Sequence, residues 1–265
     1  MKASKTILLS KVEGGSDDPG DWRPITIGSA VLRDFNRILA KRLVRCHDFE
    51  KYQNAYQPLD GVAMNVCLLA SIISQARTQL QELHIAIVDL SKAVNSRTEV
   101  MKSLSEIGCP NDFIQYMQDL YTEGKTVIQF EGKEEVAEVS KGVYQGDPLS
   151  GPAFIIGFDR ALRRLNKEIG FDLNTERITA GAYADDGLLI GSTREGLQRN
   201  LQDFSAKNAE MGMLVNPKKT RSLHLVPSGK EKKIKAVTDK LISVMGEDRI
   251  DFYIKWTCHC ECICK

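Results

Sequence analysis

The spacing of apolar residues predicts helices and strands that follow one another without an internal repeat. Apolar residues recur with helical period from Val31 to Leu43, and a second helix is expected after the turn at Asp60-Gly61. Two short helices should flank the stop-and-start segment GCPN at 108–111. A longer helix is expected to follow DPLSGPAF (147–154). Thr193 is the expected N-cap of another amphipathic helix.

Strands are predicted where apolar and β-branched residues run together. The segment LHIAIVDLS ends in an acid, Asp89. TVIQFEGKEEVAEV alternates apolar and polar residues on both sides of Glu131-Gly132-Lys133, which is typical of a hairpin. The last strand predicted is RSLHLV, at 221–226.

Two adjacent carboxylates, Asp185 and Asp186, stand between the apolar segments ITAGAYA and GLLIG. Both segments are typical of short strands, so the pair is expected to form the two-residue turn of a hairpin. Another pair, Asp17-Asp18, is flanked by Gly, Ser and Pro and indicates a solvated turn. The apolar context of Asp185-Asp186 favours a divalent cation, because burying like charges is costly unless a cation accepts their oxygens. The local sequence leaves a metal site and an ordinary turn equally open.

Asp89 is the candidate for a further ligand, because it also ends an apolar strand. If the two strands lie side by side, Asp89 and Asp185 can hold two divalent ions roughly 4 Å apart, as two-metal phosphoryl transfer requires. Such a site stabilises the charge that develops on a phosphate during transfer.

Composition indicates a globular protein. The chain has 265 residues, of which 42% are hydrophobic and 27% charged, and no apolar run is long enough to span a bilayer. The first 15 residues have too short an apolar core for a signal peptide, so we expect no membrane partner. The net charge of +1 neither supports nor excludes nucleic acid. Basic clusters at 33–45 and 218–235 are interpreted as solvated faces unless other evidence assigns them a partner.

Cysteines are unevenly distributed. Cys46, Cys67 and Cys109 are scattered and typical of reduced, intracellular residues. Four more alternate strictly in the last eight positions, a spacing that does not match a structural zinc site. The change of composition after about Arg249 leads us to expect a truncated or out-of-frame end.

Six segments in a fixed order resemble one family. QGDPLS at Gln145–Ser150 is highly specific, and AYADDGLLIG carries a Tyr-x-Asp-Asp pattern. The other four are GDWRPITIGSAVLRDFNRILAKRL, QNAYQPLDG, AIVDLSKAVN and LVNPKKT. Over about residues 5–225 the chain resembles the reverse transcriptase domain of non-LTR (LINE-type) retrotransposons, in particular the elements that insert site-specifically into ribosomal RNA genes.

The resemblance implies an α+β fold. The expected architecture is the fingers and palm of a right-hand polymerase, with an antiparallel palm sheet backed by helices and a thumb that is truncated or absent. The implied division places fingers at 1–84 and 98–140, a palm strand with the first catalytic aspartate at 85–97, and the palm at 141–228. Residues 229–265 would form a truncated connection and the irregular Cys-rich tail.

The resemblance also implies roles for the acids and for one lysine. Asp89 and Asp185 would be the principal ligands of Mg²⁺, with Mn²⁺ as an alternative ion, and Asp186 would support them. The backbone carbonyl of Leu90 would complete one metal shell. Lys219 would give a proton to the pyrophosphate leaving group.

The implied nucleotide site uses residues from two segments. Gln145 and Gly146 would shape the floor under the nucleotide and template. Arg23 matches the fingers arginine that grips the triphosphate, a bidentate task that suits a guanidinium. Lys11 is a further candidate for that task, and a solvated surface lysine is an equally good interpretation.

Several positions depart from the family pattern. Val94 stands where relatives carry the Phe or Tyr that blocks a ribose 2′-hydroxyl, and Asn95 replaces the usual following Asp. Tyr144 and Gly151 replace a common basic residue and a common Pro. Lys218, beside Lys219, leaves the register of the lysine motif open. These departures remove no metal ligand and suggest a divergent lineage or a copy that drifts without selection.

The resemblance therefore predicts an RNA-directed DNA polymerase that uses an RNA template, a DNA primer and dNTPs. The expected location is intracellular, and nuclear for the full-length element. An inactive fragment that keeps the fold and an RNA-dependent RNA polymerase palm are the alternatives. The oligomeric state is left open.

Overall fold

The computed structural model describes residues 4–90, 97–122, 125–130, 132–138, 143–229 and 233–237, and within them the chain forms six α-helices and eleven strands. The helices are α1 (Ala30–Cys46), α2 (Gly61–Gln79), α3 (Arg97–Glu106), α4 (Asn111–Tyr121), α5 (Ser150–Arg163) and α6 (Arg194–Glu210). The strands are β1 (Ser4–Ser10), β2 (Trp22–Ile27), β3 (Leu83–Val88), β4 (Lys125–Phe130), β5 (Lys133–Glu138), β6 (Phe171–Leu173), β7 (Glu176–Ile178), β8 (Ala180–Tyr183), β9 (Asp186–Gly191), β10 (Arg221–Ser228) and β11 (Lys233–Val237).

Two sheets organise these elements. The first has the order β2-β1-β4-β5, in which β1 and β4 are parallel and the other neighbours antiparallel. The second has the order β11-β10-β3-β9-β8 and is antiparallel throughout. Strands β6 and β7 form a separate hairpin. The predicted α+β fold with an antiparallel sheet is confirmed. The domain boundaries stay predictions, and β11 lies beyond residue 228, where the expected palm ends.

Side-chain caps begin three of the helices. Ser29, Asp60 and Thr193 cap α1, α2 and α6, and each side chain accepts the backbone N–H of the residue three positions on. Such caps satisfy a donor that the first helical turn leaves without a partner. The expected N-cap at Thr193 is confirmed.

The turn that carries the paired acids differs from the expectation by one residue. Tyr183 pairs with Asp186, so the two-residue turn consists of Ala184 and Asp185, and Asp186 begins β9. Ala184 has the left-handed backbone conformation, with φ +56°. The register follows from burial, because a slip by one residue would send Leu189 and its neighbours to the wrong faces of the sheet.

Both faces of the five-stranded sheet are covered. Leu189 packs against Phe158 of α5 and Phe204 of α6, whereas the next residue, Ile190, packs on the opposite face against Ile72 of α2. A third cluster joins α1, α3, α4 and α5. The edge of the sheet that carries the paired acids is therefore fixed to a packed core.

None of the helices in the described ranges is long and apolar enough to cross a membrane.

Candidate active site

The predicted acids meet at one end of the five-stranded sheet. Strands β3 and β9 are antiparallel neighbours, and their last pair is Val88 with Gly187. The same register places Asp89 opposite Asp186, and residues directly opposite each other have Cβ atoms about 5 Å apart. Asp185 lies in the turn immediately before Asp186. The structure therefore brings Asp89, Asp185 and Asp186 together.

The charges of these acids are only partly balanced. One carboxylate oxygen of Asp89, Oδ1, lies 3.9 Å from Nζ of Lys219. The other, Oδ2, is buried and has no hydrogen-bond partner among the described residues. Burial raises the pKa of Asp186, the negative charges of Asp185 and Asp89 raise it further, and Lys219 opposes them. Among the described residues, Lys219 thus lies against Asp89 and opposes the negative charge around Asp186.

A hard divalent cation fits this arrangement. It would accept the buried Oδ2 of Asp89 as a ligand and would relieve the repulsion that raises the pKa of Asp186. In the described part of the chain, no group of three or more His, Cys, Asp or Glu side chains is already arranged to hold a metal ion. The three acids therefore lie near one another but do not form a complete metal coordination shell.

The loop before β10 ties Lys219 to the first acid. The backbone N–H of Asn216 donates to the carbonyl of Asp89 at 2.8 Å, and the backbone N–H of Asp89 faces Oγ1 of the buried Thr220 at 3.4 Å. Leu90 is buried and forms an isolated bridge to the same loop. The assignment of the Leu90 carbonyl as a metal ligand stays a prediction. The motif lysine thus lies next to Asp89 because the backbones of the two segments are hydrogen-bonded.

A second loop holds the outer edge of β8. The backbone N–H of Ala182 donates to the carbonyl of Tyr52 at 2.8 Å, and its carbonyl accepts the backbone N–H of Asn54 at 3.1 Å. Nδ2 of Asn65 also donates to that carbonyl, at 2.9 Å, and Nδ2 of Asn54 donates to Oδ1 of Asn65 at 2.7 Å. Sequence reasoning missed this support, because its residues are distant along the chain from the paired acids.

A cleft of about 970 Å³ runs from the four-stranded sheet to the acidic turn. Gln145 and Gly146 lie in its wall, and the carbonyl of Gln145 accepts the backbone N–H of Thr26 at 2.6 Å. Gly146 has φ +107°, and a Cβ there would lie 2.7 Å from the carbonyl oxygen of Thr26. The wall of the cleft also includes Ile25, Tyr56, Thr126, Tyr144, Ser150, Gly151, Ala184 and Asp185.

Asp147, inside the QGDPLS segment, has a structural role. Its Oδ1 accepts the backbone N–H of Leu149 at 2.9 Å, and its Oδ2 accepts Nδ2 of Asn36 at 2.6 Å. The hydroxyl of Tyr116 in turn donates to Oδ1 of Asn36. This acid therefore joins the start of α5 to α1 and α4.

The expected triphosphate ligands are not gathered in the same way. In the described part of the chain the cleft wall includes Ile25 but not Arg23, although alternation along β2 places both side chains on one face. Arg23 is exposed, and Nζ of Lys11 donates to the carbonyl of Gly20 at 2.8 Å. Val94 lies outside the described residues. The roles of Arg23, Lys11 and Val94 stay predictions.

Comparison with known families identifies the family of the chain. The profile of the family described as reverse transcriptase (RNA-dependent DNA polymerase) matches residues 10–250. The chain belongs to the reverse transcriptase family. The prediction made from the six ordered segments is confirmed, and this family generally uses divalent metal ions.

This reverse transcriptase domain is similar to Pol polyproteins of R2 retrotransposable elements. It is 47% identical over 250 residues to the type-1 R2 polyprotein of Bradysia coprophila, covering 94% of the chain and 29% of that protein. The corresponding protein of Nasonia vitripennis is 39% identical over 248 residues, covering 92% and 24%. The type-2 element R2DM of Drosophila melanogaster is 31% identical over 235 residues, covering 88% and 22%. The chain thus spans less than a third of the length of these relatives.

Solved structures of telomerase share the fold of the reverse transcriptase domain. Apo telomerase from Candida tropicalis superposes with a TM-score of 0.60 at 14% identity, covering 90% of this chain and 49% of that one. A form truncated from the C-terminal domain gives 0.58 at 14% identity, covering 89% and 52%. At this identity the likeness concerns the fold alone.

Proposed function

We propose that the chain carries the polymerase site of an R2-type polyprotein and catalyses RNA-directed DNA synthesis. The observation that supports this most is the meeting of Asp89, Asp185 and Asp186 at the ends of two adjacent antiparallel strands, with a buried carboxylate oxygen of Asp89 that lacks a partner among the described residues. Asp185 lies in the wall of a cleft whose volume is at the upper end of the range for ligand sites.

The proposed reaction joins a dNTP to a primer. The 3′-hydroxyl of the primer loses its proton to water and its oxygen forms a bond to the α-phosphorus, while the bond from that phosphorus to the bridging oxygen breaks and pyrophosphate leaves. Mg²⁺ or Mn²⁺ held by Asp89 and Asp185 would supply charge neutralisation and a more acidic primer hydroxyl. Asp186 and the carbonyl of Leu90 support that site. Lys219, adjacent to Asp89, gives a proton to the departing pyrophosphate.

The nucleotide is held by the cleft and the four-stranded sheet. Gln145 and Gly146 form a surface under the nucleotide and template, and their position is set by the hydrogen bond to Thr26. Arg23 reaches the triphosphate from the face of β2 that also carries Ile25. Lys11, just after the end of β1, is a further candidate for binding the triphosphate. Guanidinium groups bind phosphate oxygens in pairs, which fixes orientation as well as charge.

The proposed partners are an RNA template and a DNA primer. The fold is shared with a telomerase from Candida tropicalis that was solved with a fragment of telomeric RNA, at a TM-score of 0.57 and 13% identity. That RNA belongs to the telomerase, and it supports an RNA partner here only through the shared fold. Exposed basic residues of α1 provide charge for phosphate contacts, which supply much of the affinity for nucleic acid.

The test is primer extension by the purified chain on an RNA template, with dNTPs and Mg²⁺. We expect DNA product that depends on the template and matches its sequence. Product from rNTPs but not dNTPs would favour an RNA polymerase instead. A folded chain that binds primer–template but makes no product with either would identify an inactive fragment.

A further inference from the structure

Tyr56 holds an unusual conformation at the edge of the cleft. Its φ is +58°, in the left-handed region that residues other than Gly, Asn and Asp rarely adopt. Although the side chain is a large aromatic ring, the residue is 55% exposed and lines the cleft beside Asp185. Strained backbone at such a place is a reason to look for a function.

The surroundings of Tyr56 maintain this conformation. A Cβ at Gly151 would lie 2.3 Å from Cζ of the ring, so the ring lies against the start of α5 where only glycine leaves room. On the chain before it, Gln53 is fully buried and its Oε1 accepts the backbone N–H of Ala55 at 3.2 Å. On the C-terminal side of Tyr56, a Cβ at Gly61 would lie 2.2 Å from the carbonyl oxygen of Asn54. The loop is therefore fixed on both sides of an exposed ring.

The ring also lies within electrostatic reach of the acidic turn. Burial raises the pKa of Tyr56, and the charge of Asp185 raises it further, followed by that of Tyr183. The phosphate that reacts must approach Asp185 under the proposed function. A ring beside that acid therefore faces the nucleotide pair that is being joined, rather than duplex already made.

We propose that Tyr56 is a nucleotide-contacting residue whose ring packs against the nascent pair formed by the incoming nucleotide and its template base. Contact between a base and an aromatic ring is tolerant of sequence, because every base has a π-face. The residue is about half exposed, its ring lines the cleft, and its backbone keeps the left-handed conformation. The inference rests on the proposed function, because it requires a nucleotide at Asp185.

The test compares Tyr56→Asn with Leu80→Asn. Asparagine tolerates the left-handed conformation, so the first change removes the ring without adding backbone strain. Leu80 is a matched control, because it has φ +52° and is 38% exposed at the end of α2. Each chain is bound to a primer–RNA template whose primer ends in a dideoxynucleotide, and the affinity for the next complementary dNTP is measured without chemistry.

We expect Tyr56→Asn to weaken dNTP binding by about tenfold or more, the size of one lost base–aromatic contact. The primer–template affinity and the circular dichroism spectrum of Tyr56→Asn should stay as in the wild type. For Leu80→Asn, the dNTP affinity, the primer–template affinity and the spectrum should all stay as in the wild type. Tyr56→Phe should restore most of the dNTP affinity because it restores the ring. Gly151→Ala should weaken dNTP binding, because the new Cβ displaces the ring.

Unchanged dNTP affinity in Tyr56→Asn would overturn the proposed contact. A loss confined to primer–template affinity would also overturn it, because that result would indicate a contact with the duplex.

The proposed function and the proposed contact can fail separately. A wild-type chain that binds the correct dNTP but does not extend a primer contradicts the proposed function and leaves the contact in place. A wild-type chain that extends primers, with an equally tight Tyr56→Asn, contradicts the contact alone. A wild-type chain that binds no dNTP contradicts both.

Discussion

Replacing Gly146 by alanine should damage the fold and the cleft together. The residue has φ +107°, and a Cβ would lie 2.7 Å from the carbonyl oxygen of Thr26 and 3.3 Å from Cγ2 of Ile25. The oxygen of Thr26 belongs to the backbone and cannot rotate away as a side chain would. The backbone N–H of Thr26 also donates to the carbonyl of Gln145 at 2.6 Å, so a shift of β2 would break that hydrogen bond.

The cost has two parts. Holding a non-glycine residue at this φ costs about 1–3 kcal/mol. Forcing an added methyl group against fixed neighbours costs typically about 1–3 kcal/mol more. The free energy of unfolding should therefore fall by about 2–6 kcal/mol in Gly146→Ala.

Gly108→Ala separates the two parts. Gly108 has φ +78°, and no heavy atom lies within 4 Å of a Cβ built there. This control should show only the backbone cost, about 1–3 kcal/mol. Urea unfolding followed by circular dichroism measures both variants. If Gly146→Ala and Gly108→Ala lose the same stability, the contact with Thr26 does not constrain the cleft and the reasoning is refuted.

Three further predictions concern acid stability, the triphosphate and the sugar. Burial and the neighbouring His84 lower the pKa of His224 from 6.5 to about 4, so stability should be full above pH 6.5 and fall by up to about 3 kcal/mol as the pH approaches 4. Urea unfolding across pH should show a loss that His224→Gln reduces, and a flat wild-type curve would contradict the assignment. Arg23→Ala should raise the KM for dNTP, with Arg23→Lys recovering part of the loss, and an unchanged KM in both would return Arg23 to a surface role. If the chain polymerises, it should accept rNTPs readily and Val94→Phe should lower kcat/KM for rNTPs; equal, strong rejection of rNTPs by both forms would show that another side chain closes the pocket.

Local signals predicted the elements well where the chain obeys local rules. The caps at Asp60 and Thr193 and the glycine-proline interruption at 108–111 each end or begin a helix as expected. The predicted hairpin is formed by β4 and β5, and the predicted strand at 221–226 lies within β10.

Tertiary packing decided what local signals missed. The acidic turn lies one residue earlier than expected, because the register of β8 against β9 is set by the burial of Leu189. The apolar period of α1 predicted the helix correctly but does not report burial along its whole length, because Val31 is 76% exposed and Phe35 is also exposed. The hydrogen bonds of Asn65 to β8 join residues more than a hundred positions apart, which no periodicity reveals.

The candidate site was predictable only through its ordered motifs. Asp185 and Asp186 alone left a metal site and a plain turn equally open, and it was their order with Asp89 and Gln145 that named the family. Tyr56 lies in the segment QNAYQPLDG, but the resemblance of that segment assigned the residue no role. Its left-handed conformation and the room left by Gly151 exist only in the folded chain.

The most direct measurement of the central claim is single-nucleotide incorporation on an RNA template by the wild type and three aspartate variants. Asp89→Asn and Asp185→Asn remove one charge from each principal acid with little change in shape, and both should abolish product while unfolding as the wild type does. Asp17→Asn is the control, because Asp17 lies exposed in the other Asp-Asp pair, and it should incorporate at the wild-type rate. Undiminished incorporation by Asp89→Asn or Asp185→Asn would contradict the assignment of the polymerase site to these acids.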